Sequence, residues 1–330
     1  MGNGSYSGQT ELQRFSQSVS PIAPVPHQLI GGRMRALFIS NNLVGDSLYV
    51  GPALRQYYQE HPDAEIHIQT LPNFAASMYS RMGVPVTVHT EEVSRDDFDF
   101  VHTFDCNRAF QVSHEKKCHI AESYADLLGV KIVPEITPEM MKNVDQTKPW
   151  YKPWVKPIFI PTEEEISENE KGLILVSAYS NSCTSQQGQR PNKMLPWPKW
   201  KVILRLLRTY GYPIRFIGGM KERIPLEISE DEYLLGTSLN RTALIMQQAK
   251  LLMTVDNGMS HLAASQELST VLTYPSCLGL HYILPIGNRN LMYVQCDPYT
   301  VDTARLVAVM RDWLNYYFKL VRQKENRSEL

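Results

Sequence analysis

The amino-acid sequence predicts an α/β protein made of two Rossmann-like, doubly wound domains. Three observations carry this. Between residues 34 and 129, apolar β-type runs alternate with helix-spaced runs, the order of a parallel sheet with crossover helices. A connector dense in proline and aromatics then interrupts the pattern, and no helix can run through it. Beyond it the alternation resumes and reaches residues 251–264, where an apolar strand breaks at Asp256-Asn257-Gly258 and a helix follows.

A chain of 330 residues can hold two domains, each burying its own core. With 43% hydrophobic and 20% charged residues it reads as globular. A formal net charge of -1 argues against a protein built to coat nucleic acid. Cys106, Cys118, Cys183, Cys277 and Cys296 are scattered and odd in number, which suits a reducing compartment better than a disulfide framework. The first residues carry no apolar signal core, and no apolar run is long enough to span a bilayer, so a cytoplasmic protein is expected. Met1-Gly2 opens like a myristoylation site, but Tyr6 stands where Ser or Thr is needed.

In chain order, residues 1–33 are rich in Ser, Gln, Gly and Pro and predict a flexible arm. The first domain, 34–147, starts with a strand over 34–40. A helix is expected over 48–58, with Pro52 in its first turn. Residues 64–70 alternate as a strand, and 73–81 read as a helix closed by Gly83. A further strand spans 98–104, and 119–128 form a helix ending at Gly129. The linker, 148–171, interleaves Pro149, Pro153, Pro157 and Pro161 with Trp150, Tyr151 and Trp154; its aromatics are expected to pack against one domain. Its acidic stretch 163–170 reads as a solvated face. The second domain, 172–300, opens on a buried strand over 172–178 and continues into a long polar loop over 179–192, a length that is usually functional or mobile. A helix at 202–207, a strand at 214–219 and a helix at 239–248 lead to the strand of 251–255. Gly218-Gly219 is not a dinucleotide fingerprint, since no G-x-G-x-x-G opens a helix there. Residues 270–274 complete a strand–helix–strand unit. The last helix, 301–324, carries Leu306, Val307, Met310, Trp313, Leu314 and Phe318 on one stripe.

The turn at 256–260 admits two uses. Its backbone N–H groups lie where open α/β sheets bind anions, or Asp256 merely caps a helix. Asp256-Asn257-Gly258-Met259-Ser260-His261-Leu262-Ala263-Ala264 resembles the D-[TS]-G-x-x-H-[LI]-A-A signature of the heptosyltransferase-like glycosyltransferases, with Asn257 where that family has Thr or Ser. Gly45-Asp46-Ser47-Leu48-Tyr49-Val50-Gly51-Pro52-Ala53-Leu54 is similar to its G-D-x-[LV]-x-x-[TS]-P-A-[LI] opening, and Asp63-Ala64-Glu65-Ile66 to the start of its second strand. His119 to Gly129 resembles its helix before the interdomain crossing. Lys193-Met194-Leu195-Pro196-Trp197-Pro198-Lys199-Trp200 resembles its K-x-W-P-x-x-x-W, with Leu195 in place of the first Trp. The resemblance implies a GT-B architecture, two domains facing across a cleft, with residues 301–330 crossing back onto the first domain.

It also implies chemistry. Sugar transfer from a nucleotide diphosphate needs a base for the acceptor hydroxyl, a holder for the departing diphosphate and a water-poor cleft. The resemblance makes Asp46 the base of a single, inverting displacement; as a residue alone, Asp46 is also a helix N-cap. Lys193 would offset the charge of the leaving diphosphate, with Arg190 and Lys199 nearby as substitutes. Gly258, Met259 and Ser260 would cradle the phosphates, with Asp256, Asn257 and His261 around them. His261 reads first as a structural hydrogen bond. Gly218, Gly219 and Thr237 fall on the donor side, and Asn42, Gly45 and Ser47 flank Asp46 on the acceptor side. The acidic residue that the family places near Asn240 and Arg241 is missing. No cofactor is expected beyond the nucleotide-diphosphate sugar as substrate, ADP-linked by the family default. No metal is expected either: Cys106, His114, Cys118 and His119 fit no zinc spacing.

Two alternatives remain at this level. The same fold can glycosylate another acceptor (a modified nucleic-acid base, a protein or a small glycan), for which the basic residues between Arg190 and Lys201 leave room. A non-catalytic nucleotide-sugar binder is the other, against which both Asp46 and Lys193 speak. The expected partners are the donor and a glycan or other hydroxyl acceptor, with nucleic acid not favoured. A lipid-linked acceptor would bring the protein to the inner face of the cytoplasmic membrane.

Overall fold

A computed structural model describes residues 33–71, 73–132, 151–180, 193–275 and 283–328. The arm at 1–32, Trp150, Arg190, Cys183, Cys277 and most of the polar loop lie outside the described residues.

Two sheets organise the chain, and their recorded pairings are all parallel. The first comprises β1 (Arg35–Ile39), β2 (Glu65–Gln69), β3 (Val86–His89) and β4 (Phe100–Thr103), in the order β3-β2-β1-β4. The second comprises β5 (Ile174–Ser177), β6 (Ile214–Gly218), β7 (Tyr233–Leu235), β8 (Leu251–Val255), β9 (Thr270–Pro275) and β10 (Leu291–Cys296), in the order β10-β9-β8-β5-β6-β7. Both orders reverse direction beside their first strand, which opens a crevice at the strands' carboxyl ends. β8 is buried at all five positions, as a central parallel strand covered on both faces requires.

Among the described residues, eight helices accompany these strands: α1 (Val44–Glu60), α2 (Asn73–Tyr79), α3 (Cys106–Lys116), α4 (Ile120–Leu128), α5 (Trp197–Arg208), α6 (Leu239–Gln248), α7 (Gly258–Ser265) and α8 (Thr303–Ser328). α1 starts four residues before the expected 48, so Pro52 falls in its interior rather than its first turn. An interior proline removes one hydrogen bond and kinks the helix. Tertiary burial overrides that cost, because Ser47 to Leu54 are all buried. α3 was not anticipated; its polar face hides the period, and Asp105 caps it through Asn107 N at 2.9 Å. α4 ends at Gly129 in the left-handed conformation, as expected.

Two expectations need correction. The last helix does not cross back onto the first sheet. Leu306, Val307, Met310, Leu314 and Phe318 of α8 pack with Trp200 of α5 and Ile174 of β5, and Phe318 stacks on Tyr210 at 4.6 Å. The apolar stripe finds its partner on the nearest sheet. The acidic stretch before β5 is also not simply a solvated face: Glu170 is buried and binds Arg241 at 2.6 Å, while Glu164 holds the same guanidinium at 2.6 Å.

The connector is stitched to both halves. Lys152 and Trp154 bind Glu122 of α4 at 2.9 and 3.1 Å, and Gln266 donates to the Phe159 carbonyl at 2.8 Å. The halves also share apolar cores. Leu272, Tyr274 and Leu284 pack with Tyr49 and Tyr124, and Leu48 and Met78 pack with Leu252, Leu262 and Ala263. Truncating the fully buried Leu48 to Ala would cost about 2–5 kcal/mol and loosen this seam.

Candidate active site

At the seam, the amino ends of α1 and α7 meet head to head. A Cβ on Gly45 would lie 2.6 Å from His261 Cδ2, and one on Gly258 would lie 3.0 Å from Val44 Cβ. Only glycine permits this approach. The two positive helix ends therefore converge on one cavity of about 490 Å³. Its walls bring together Gly45, Asp46, Lys193, Gly218, Gly219, Thr237, Asp256, Asn257, Gly258, Met259 and His261.

Asp46 lies in the first turn of α1, whose N-cap is Leu43, so it does not cap the helix. Burial pushes its carboxyl up to about 6, the Lys193 ammonium pulls against that rise, and the Asp256 carboxylate adds to it. Lys193 Nζ lies 2.8 Å from Asp256 Oδ2, an oxygen that accepts no well-directed hydrogen bond from the described residues. The ammonium thus compensates Asp256 by charge rather than by direction.

His261 Nδ1 is 2.8 Å from the Tyr49 hydroxyl, a bond between the two halves, and its Nε2 faces Asp256 Oδ1 at 3.9 Å. Burial holds its pKa down to about 4, so the ring is neutral at pH 7. The structural hydrogen bond expected for His261 is present, and the ring lines the cavity as well.

The turn differs in detail from a bare amide cradle. Asn257 caps α7 through Met259 N at 3.0 Å and Ser260 N at 3.2 Å, and its Nδ2 donates to Ser177 Oγ at 3.0 Å and to the Tyr179 carbonyl at 2.6 Å. Two of the three expected amides are thus occupied, and among the described residues Gly258 N–H is the one of the three not bonded to Asn257. Ser260 is buried and donates its hydroxyl to the Asn257 carbonyl, so its side chain takes no part in the wall. Thr237 lines the cavity while its hydroxyl is bonded to that of Thr242 at 2.8 Å.

On the first half, Asn42 and Ser47 depart from expectation. Asn42 donates to the Tyr124 hydroxyl at 3.3 Å, and Ser47 donates to the Asn42 carbonyl at 3.2 Å while accepting from Tyr79 at 3.1 Å. Both are buried beneath the turn that aims Asp46 and are not cavity walls. Lys199 is also turned away, donating to the Tyr299 carbonyl at 3.2 Å. Asn240 and Arg241, where the resemblance placed an acidic residue, bind Thr162 at 2.8 Å and Glu164 and Glu170 at 2.6 Å, so that stretch anchors the connector.

Sequence reading missed Tyr49, Phe110 and Glu222 as cavity residues. Tyr49 stood inside the quoted opening motif; Glu222 sat three residues past Gly219 in a loop with no periodicity. The Glu222 carboxyl is raised by burial, against the pull of the Gly219 N–H. A Cβ on Gly218 would collide with it, which makes the Gly218-Gly219 pair a seat for that side chain. Among the described residues, no group of three or more His, Cys, Asp or Glu is placed to hold a metal ion, and no helix is long and apolar enough to cross a membrane.

Residues 177–277 match the family model for glycosyltransferase family 9 (heptosyltransferase). That span contains Lys193 and the α7 turn and leaves Asp46 outside it. No curated protein matches the chain by sequence. Among solved structures, the ADP-heptose lps heptosyltransferase II of E. coli is similar at 15% identity and a TM-score of 0.52, covering 88% of this chain and 100% of that one. The glycosyl transferase family 9 protein of Veillonella parvula gives 15% identity and a TM-score of 0.54, over 80% and 86%. The dodecameric, iron-containing heptosyltransferase TibC, solved with ADP-D-beta-D-heptose, gives 12% and 0.52, over 82% and 66%. In fold the chain is similar over most of its length to heptosyltransferase structures, and in sequence residues 177–277 match glycosyltransferase family 9.

Proposed function

We propose that the protein transfers a sugar with inversion, and without a metal ion, from a nucleotide diphosphate onto an acceptor hydroxyl, with Asp46 as base. The observation that carries this is the meeting of a raised carboxyl from one half with a lysine and a helix amino end from the other, in one cavity. Asp46 takes the acceptor's hydroxyl proton as the oxygen bonds to the anomeric carbon. The bond from that carbon to the diphosphate oxygen breaks, and its electron pair leaves with the nucleotide. Lys193, Gly258 N–H and the α7 dipole offset the charge that develops there. For Lys193, this means exchanging Asp256 for the diphosphate.

A single carboxylate acting on the acceptor hydroxyl fits one inverting displacement, since no covalent intermediate then calls for a second. Two of the structural relatives are named for ADP-heptose, which supports that donor here. The acceptor side opens at Asp46 and Gly45, and a lipid-linked glycan would bring the protein to the inner membrane face. Glu222, on the donor side, offers a carboxylate to sugar or ribose hydroxyls.

The test is a melting-temperature panel with ADP, UDP, GDP and CDP, followed by turnover of the matching sugar donor. One diphosphate should stabilise the chain, by about 2.7 kcal/mol at 100 times its Kd. If none does so, the cavity is not a nucleotide site and the reading fails.

A further inference from the structure

We infer that α8 pairs with α8 of a second copy, antiparallel, through a face that the described residues leave largely exposed. This rests on observations remote from the cavity and independent of the proposed activity. α8 carries two apolar stripes. Leu306, Met310, Leu314 and Phe318 lie in the core. Val309, Trp313, Tyr316 and Leu320 form the other, at successive steps of four, three and four residues, the spacing of a coiled-coil seam. Val309 is 45% exposed, Tyr316 64% and Leu320 39%. Trp313 is half-buried, packing partly on the core and stacking parallel on Tyr317 at 5.0 Å. On a helix these positions centre roughly 120° from the buried stripe, at 100° per residue. The flanks are bound elsewhere: Asn315 accepts from the Tyr210 hydroxyl at 3.0 Å, and Tyr317 donates to the Lys250 carbonyl.

The occupant follows from the symmetry of this face. A four–three–four spacing reads the same in both directions. An antiparallel copy therefore sets Val309 against Leu320 and Trp313 against Tyr316, twice over, as a two-fold interface demands. The charges agree. Asp312 and Lys319 lie one heptad apart on the same edge of the stripe, both exposed, and neither forms a hydrogen bond or ion pair with the described residues. In the antiparallel arrangement that edge meets itself, so Asp312 of each copy faces Lys319 of the other. A parallel pair would set that edge against the opposite edge of the partner, where Asp312 and Lys319 no longer meet. Charge thus selects the antiparallel self-pair. Four side chains per copy make a contact smaller than a standard specific interface, which fits a weak, reversible dimer.

The test is sedimentation equilibrium of the full chain from about 1 to 200 µM, with melting curves as a check on folding. The wild type should show a reversible monomer–dimer equilibrium. Tyr316→Asp should be monomeric throughout with an unchanged melting temperature. Asp312→Lys and Lys319→Asp should each weaken the dimer at least tenfold, and the double swap Asp312→Lys/Lys319→Asp should restore it to within about threefold. A wild type that stays monomeric over the whole range overturns the inference. So does a dimer indifferent to Tyr316→Asp, or a double swap no tighter than the singles. Nucleotide binding is expected to be unaffected by all four variants, so this result and that of the diphosphate panel are separable.

Discussion

Asp46→Asn separates what the site costs the fold from what it gives the reaction. Burial lifts the carboxyl from its ordinary 3.8 to about 6. At 1.36 kcal/mol per pH unit, the ionised side chain therefore destabilises the folded state by about 3 kcal/mol at pH 7.5. For a raised carboxyl the stabilising contribution is complete below pH 3.8 and is lost as the pH rises through about 6. Asparagine has the same shape and never ionises. The variant should thus be more stable than the wild type at pH 7.5, by up to about 3 kcal/mol or roughly 6 °C, and within about 0.6 kcal/mol of it near pH 4. Calorimetry of both proteins across pH 4 to 7.5 reads this directly. Three imidazoles, on the half-buried His102 and the buried His119 and His261, are held down to about 4, 3 and 4 by desolvation, so both proteins weaken as the pH falls below 6.5. That loss cancels in the difference. Turnover should fall at least about 100-fold in the variant, and in the wild type kcat/KM should fall about tenfold per pH unit below pH 6. A variant less stable at pH 7.5, or a stability difference that ignores pH, would refute the electrostatic reasoning; unimpaired turnover would remove Asp46 as the base.

Three further outcomes are expected. Lys193→Ala leaves the buried Asp256 carboxylate without its counter-ion, so the melting temperature should drop by the equivalent of about 3–5 kcal/mol, and diphosphate affinity and turnover should both fall; titration with ADP that finds affinity unchanged would exclude its role at the phosphates. Gly45→Ala drives a methyl group to 2.6 Å from His261 and should cost about 1–3 kcal/mol while shrinking any diphosphate-induced rise in melting temperature. Asn257→Ala removes a helix cap worth about 0.5–2 kcal/mol as well as the bonds to Ser177 and Tyr179, whereas Asn257→Ser keeps the cap; urea unfolding should rank wild type above Ser above Ala.

Strands were legible wherever burial on both faces left an unbroken apolar run, as in β1, β5 and β8. β3, β7 and β10 were missed because each is short or half-buried, with no run to read. Helix ends with a chemical signal were readable, Gly129 closing α4 being one. The start of α1 was not, since Leu43 caps it without a side-chain hydrogen bond and Pro52 argued for a later start. At the site, Asp46, Lys193 and Gly258 stood in recognisable motifs. Tyr49, Phe110 and Glu222 acquire meaning only from what lies opposite them.

By itself the sequence determined the local grammar: which segments are strands buried on both faces, where the chain turns, and which few residues carry charge at the carboxyl ends of strands. Those are short-range consequences of hydrophobic period and turn chemistry. Only the tertiary structure decided that Gly45 and Gly258 touch, that Asn257 spends its side chain on capping, that Asp46 is desolvated enough to titrate near 6, and that the last helix stays on the second sheet. Each depends on residues far apart in the chain meeting in one place, and burial, close approach and charge coupling are properties of the meeting rather than of either partner.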